Sequence, residues 1–150
     1  MATISELELI GRLVLATLLG FLIGLERELA GRPAGVRTHA LAALGAATFA
    51  LISVEAFPGS DPARVAAGVV TGLGFLGAGM IMKDGGHQGV QGLTSAAGIW
   101  AVGAVGLAVG SGLYLLGVSS AVLVGVLLAS ERLLNIAERL ERRRQKRSKE

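Results

Sequence analysis

Three stretches of the chain carry residues whose types and spacing could do chemistry. The first is a charged elbow, Gly24-Leu25-Glu26-Arg27-Glu28, followed by Gly35-Val36-Arg37-Thr38-His39. Its carboxylates could hold a cation, its guanidiniums an anion, or the two could pair across a short turn. The second is the polar, glycine-rich run Lys83-Asp84-Gly85-Gly86-His87, with Thr94 and Ser95 a little further on. The third, Gly72-Leu73-Gly74-Phe75-Leu76-Gly77, matches the G-x-G-x-x-G pattern of dinucleotide-binding turns. That pattern cradles a pyrophosphate when a strand precedes it, a helix follows, and an acidic residue comes about 20 positions later.

The third stretch fails on its surroundings. Ser60-Asp61-Pro62 reads as a helix start, with Asp61 as cap and Pro62 at the first helical position, so no strand leads in. Apolar Ala78-Gly79-Met80-Ile81-Met82 follows, and the acidic position is taken by Gly92-Leu93-Thr94. Its glycines read instead as helix-packing residues. Gly68 and Gly72 are four apart, as are Gly20 and Gly24, and Gly106 and Gly110. Small residues at that spacing let helix backbones approach closely in lipid. Gly74, Gly77 and Gly79 extend the same surface around the helix, and at least one of the three paired seams is expected to serve a homodimer.

Other chemistries find no residues. There is no cysteine, hence no disulfide, thiolate nucleophile or Cys-based metal site. Glu26 and Asp84 are two carboxylates without a third ligand, which assigns no metal. His39 and His87 sit at segment edges and read as surface histidines. With no catalytic triad and no nucleotide loop, the sequence predicts neither an enzyme nor a resident cofactor.

The elements that must position these residues are membrane helices. Hydrophobic residues make up 52% of the chain and charged ones 17%, too few charges to cover a soluble domain. Residues 88–130 carry no Asp, Glu, Lys or Arg at all. One span needs about 20 apolar residues, so that run holds two, joined at Gly110-Ser111-Gly112. Leu7–Leu25, Thr38–Val54 and Pro62–Met82 give three more. The reading is an all-α polytopic membrane domain of about five helices over residues 1–130. A basic amphipathic tail follows over residues 131–150. No signal peptide is expected, since Glu6 and Glu8 stand where a basic leader region would be.

Charge sets the orientation. Of 14 Lys and Arg, all but Arg12 and Arg64 fall on one side of a five-span arrangement. The positive-inside rule places that side in the cytoplasm, with the amino terminus outside and the carboxyl terminus inside. Glu26, Arg27, Arg37, Thr38, Asp84 and Thr94 then form one cytoplasmic-side polar cluster, in which Glu26 is expected to pair with Arg27, Arg37 or Lys83. On the other side, Arg12 follows Glu8 by four positions, which reads as a surface pair with a snorkelling guanidinium, and Tyr114 reads as an interfacial anchor. The tail, with eight basic and four acidic residues, suits anionic lipid headgroups. Its place directly after a span and its lack of aromatics argue against nucleic acid.

Three blocks together resemble the amino-terminal domain of the MgtC/SapB (YhiD-like) membrane proteins, over nearly all of residues 8–130. They are Gly20-Phe21-Leu22-Ile23-Gly24-Leu25-Glu26-Arg27-Glu28 with Ala34-Gly35-Val36-Arg37-Thr38-His39-Ala40-Leu41, then Gly72 through Ile81, then Gly92-Leu93-Thr94-Ser95-Ala96-Ala97-Gly98-Ile99-Trp100. The resemblance implies a bacterial inner-membrane protein linked to growth in low magnesium and to survival inside host cells. It further implies a non-enzymatic regulator of membrane partners such as the rotary ATP synthase. The residues themselves leave a small transporter or channel for magnesium or another solute as the alternative. Longer members carry a folded cytoplasmic domain after the last span, whereas this chain ends in its basic tail, so the resemblance is to a short form.

Overall fold

Local signals start the helices where the residues dictate. Ser5 opens α1 (Glu6–Leu29), its hydroxyl accepting from the Glu8 N–H at 3.2 Å, which satisfies one of the donors a helix start leaves free. Asp61 does the same for α3 (Pro62–Ala78) through the Ala63 N–H at 2.9 Å. The other helices are α2 (Val36–Glu55), α4 (Leu93–Gly110) and α5 (Tyr114–Arg147). A two-residue antiparallel ladder, β1 (Met82–Lys83) with β2 (Val90–Gln91), pairs Met82 with Gln91 and Lys83 with Val90. A computed structural model describes residues 5–57, 59, 61–83 and 90–147. Asp84 and His87 lie outside the described residues, and so do the side chains of the basic tail.

Packing places α4 at the centre. It is apolar on every side, as a helix enclosed by neighbours must be, and it touches α1, α2, α3 and α5. Ile23, Ala43, Val102, Val105, Ala121 and Leu128 form the main apolar cluster, drawn from α1, α2, α4 and α5. Ala16, Ala47 and Val109 form a second one nearer the other end. α2 supplies a stripe of alanines, Ala43, Ala46, Ala47 and Ala50, which lets both neighbours come close. A Cβ on Gly20 would stand 2.6 Å from the His39 carbonyl oxygen, and one on Gly110 2.6 Å from that of Ala47. Gly24 and Gly106 also sit tight against the α2 backbone. Two of the three glycine pairs therefore seat α1 and α4 on α2.

The third pair does not pack inside the chain. At Gly68, Gly72 and Gly74 the position a Cβ would occupy has no neighbour within 4 Å, and at Gly79 it meets only carbonyls of its own turn. Gly77 alone on α3 approaches another helix, at Ala96 of α4. The reason is that α3 is peripheral. It is fastened to α4 by Leu73, which fills the space left by the missing side chain of Gly103, and its Gly68/Gly72 face looks outward.

The spans also differ from expectation in length. α1, α2 and α4 are long and apolar enough to cross a membrane. α3 stops at Ala78, not Met82, because the chain turns over tight bonds from Met80 N to the Gly77 carbonyl and from Ile81 N to the Ala78 carbonyl. Its 17 residues are about 25 Å long, short of a full hydrocarbon thickness. The apolar part of α5, Tyr114–Ser130, has the same shortfall. The turn between α4 and α5 falls at Ser111-Gly112, with Gly112 at φ +81. The tail continues α5 as one helix to Arg147.

Candidate functional site: the buried elbow end

The elbow is fixed by backbone before any side chain acts. α1 ends as Gly31 enters the left-handed region at φ +66 and the Arg32 N–H returns to the Arg27 carbonyl at 3.0 Å, the six-to-one bond of a Schellman ending. Ala34 holds φ +59, a conformation that costs a non-glycine residue about 1–2 kcal/mol. The Glu28 carboxylate then reaches across and accepts from the Val36 N–H at 2.9 Å. A carboxylate at a helix start is favoured by the helix dipole, and Gly35 has no side chain of its own to cap with. A Cβ on Gly35 would collide with Glu28 Oε2 at 2.5 Å, so the cap and the glycine are one device. Glu28 is plain in the sequence, but nothing there says that it bends back.

Under this turn lies a knot of buried polar groups. Arg27 is 1% exposed, Ser95 3% and His39 0%. The Arg27 Nη2 donates to Ser95 Oγ at 3.1 Å, tying α1 to the first turn of α4. His39 Nδ1 lies 3.1 Å from the Gly35 carbonyl oxygen. A carbonyl can only accept, so that nitrogen carries the proton and Nε2 presents a lone pair in the neutral ring. Nε2 is buried without a hydrogen-bond partner, 3.4 Å from where a Cβ on Gly98 would stand. The expectation of a surface histidine is overturned. His39 leads the α2 alanine stripe by one turn, and the close approach of α1 at Gly20 and Gly24 seals it in.

Glu26 meets a different fate. Both of its carboxylate oxygens are buried and neither has a hydrogen-bond partner. The expected pairing with Arg27 or Arg37 does not form, and the Lys83 side chain is outside the described residues. Consecutive residues on a helix point about 100° apart, so Glu26 and Arg27 leave α1 in different directions. Arg37, Thr38 and Thr94 are exposed. The α4 contact comes from Ser95, one position beyond Thr94 and on the inward face. Of the expected cluster, the structure buries the Glu26 carboxylate and Arg27, and it adds Ser95 and His39. Among the described residues no group of three or more His, Cys, Asp or Glu could hold a metal ion.

The opposite end of the bundle has its own polar set. Arg12 Nε donates to Tyr114 OH at 3.0 Å, its Nη1 donates to the Gly110 carbonyl at 3.0 Å, and its Nη2 pairs with Glu8. Tyr114 OH in turn donates to Glu8 Oε1 at 3.0 Å. The pair with Glu8 is present, but Arg12 does more than snorkel: it caps the last carbonyl of α4, that of Gly110, and bonds Tyr114 at the start of α5. A cation there is favoured by the helix dipole.

Apolar helices sealed on one another by glycine, with polar groups at both ends and an apolar middle, define an α-helical membrane protein. Residues 13–136 match the MgtC family, and the chain belongs to it. It is 43% identical over 129 residues to YhiD of Escherichia coli (strain K12), whose name marks it as a candidate magnesium transporter, covering 81% of this chain and 59% of YhiD. It is 52% identical over 98 residues to the MgtC protein of Brucella abortus, covering 65% and 40%. It is 45% identical over 118 residues to SrpB of Synechococcus elongatus, covering 71% and 65%. The chain thus spans about two fifths to two thirds of the length of these relatives. No solved structure matches it.

Proposed function

We propose that the chain is a regulatory protein of the bacterial inner membrane that serves adaptation to low magnesium by acting on other membrane proteins, the rotary ATP synthase among them. In this reading it crosses the membrane several times, with the elbow end and basic tail in the cytoplasm. The basic asymmetry supports that orientation. One observation carries the choice of a regulator over a conduit. Between the two polar ends the bundle is filled by Ala16, Ala43, Ala47, Val102, Val105 and Val109, each fully buried. Close-packed apolar side chains of this kind leave a dehydrated ion no polar path. The elbow then acts as a cytoplasmic-side polar centre on a rigid frame.

A transporter is the second reading, favoured by the buried and unpartnered Glu26 carboxylate and by the name of the YhiD relative. Ionisable side chains buried inside a membrane protein mark substrate and ion pathways. Purified protein in liposomes, assayed for magnesium and proton flux, separates the two. The regulator predicts flux equal to empty liposomes, and protein-dependent magnesium or proton flux overturns it. In cells, Glu26→Gln should keep wild-type membrane levels and lose growth in low magnesium. Unchanged growth at wild-type protein level would remove Glu26 from the working site.

A further inference from the structure

His39 puts a ring with two nitrogens where an apolar side chain would leave nothing to satisfy. It is 0% exposed. Nδ1 donates to the Gly35 carbonyl oxygen at 3.1 Å, and Nε2 is left as a bare lone pair with no hydrogen-bond partner. The neighbours of Nε2 are apolar. A Cβ on Gly98 of α4 would stand 3.4 Å from Nε2 and 3.8 and 3.9 Å from the two methyls of Leu128 on α5. The ring thus fills the junction of α2, α4 and α5, while Gly20 and Gly24 bring α1 down on its own carbonyl and Cβ.

We propose that His39 is a proton-operated latch: with the ring neutral the four helices close on one another at the elbow end, and a proton taken up at Nε2 opens them. Three features of the surroundings oppose a charged ring in the closed bundle. A protonated Nε2 is a hydrogen-bond donor, and no acceptor stands within reach of it. The charge would lie in an apolar junction, where an unpaired ion is costly. It would also lie beside another cation, because Arg27 of α1 acts on the ring through space and is itself buried and held to Ser95.

Among the described residues no carboxylate offsets the two cations. On α1, Glu26 leaves the helix about 100° from Arg27, and Glu28 is engaged by the Val36 N–H. α4 has no charged residue, α5 presents Leu128, and Arg37 of α2 is exposed. Opening brings water to the ring, and a histidine in water charges below about pH 6.5. The open state therefore binds one proton more than the closed one, so the closed state is favoured at high pH and loses ground as pH falls. The proposal does not depend on whether the protein regulates or transports.

The chain has 2 histidines, so in a His87→Gln background the ring nitrogens of His39 are followed alone by NMR in lipid nanodiscs. At about pH 8, Nδ1 should carry the proton and Nε2 none. Towards about pH 5, Nε2 should gain its proton, and the midpoint of thermal unfolding should fall by about 4 °C per pH unit as it does. Amide exchange in residues 95–99, corrected for its intrinsic pH dependence, should quicken about tenfold per unit over the same range. His39→Asn takes no proton, while its side-chain amide N–H replaces Nδ1–H towards Gly35, and its midpoint should stay level. Should that variant fail to accumulate, Gly98→Ala carries the test. Its methyl makes only ordinary contact with Nε2 but fills the room in which water would meet the charged ring, and it should move the loss to lower pH. A midpoint that falls in His39→Asn as in wild type, or a transition unmoved by Gly98→Ala, overturns the latch. A ring still neutral at pH 5, or one that gains its proton while midpoint and exchange stand still, overturns it as well.

Discussion

α1 carries a glutamate and an arginine at each end, and the two pairs reach opposite outcomes. Glu8 and Arg12 are four residues apart, share a face, and close into a network with Tyr114 OH and the Gly110 carbonyl. Glu26 and Arg27 are adjacent and diverge. Arg27 binds Ser95 on α4, while the Glu26 oxygens are buried without a partner. Buried polar groups without partners are expensive, and native structures keep few of them. The Arg12 end has the form of a strut, with donors and acceptors matched. The elbow end holds groups whose burial packing does not repay, and this is why the proposed function puts its working site there.

The largest test of that contrast is Arg27→Ala. It empties a buried volume and leaves Ser95 without its donor, and should lower stability by about 3 kcal/mol. The midpoint of thermal unfolding in detergent reports it, and a wild-type midpoint would mean that Arg27 does not hold α1 to α4. Ser95→Ala should cost about 1 kcal/mol by the lost hydrogen bond. Thr94→Ala, one position away on the exposed face, should be silent; equal effects of the two would refute the inward placement of Ser95.

Arg12→Gln should cost less than about 1 kcal/mol, since its ion pair with Glu8 is partly open to solvent and weakened by screening. Its effect should shrink further in high salt, and a salt-independent loss would show that the Gly110 carbonyl contact dominates. The smallest change in stability is expected of Glu26→Gln, whose unfolding midpoint should match or exceed wild type because no native hydrogen bond is removed. A clear fall in that midpoint would turn the elbow into a strut like the other end.

Much of this was legible in the residues. Capping at Asp61-Pro62, the break at Gly110-Ser111-Gly112 and the run of helices all come from interactions within a few positions along the chain, so the sequence by itself determined them. The glycine pairs likewise announced that helix backbones would touch. The sequence also contained the clue to His39, since His39, Ala43, Ala47 and Ala50 recur at helical spacing and mark one face of α2, but that spacing does not say what covers the face.

Only the tertiary structure decided which faces meet. The depth at which α1 crosses α2 buries His39, and the rotation of α4 turns Ser95 inward and Thr94 outward. The peripheral position of α3 leaves Gly68 and Gly72 open, although their spacing is the same as that of pairs that are closed. These outcomes rest on the sum of many weak contacts between segments far apart in sequence, and a rotation of one residue, about 100°, exchanges one side chain for another at the same contact.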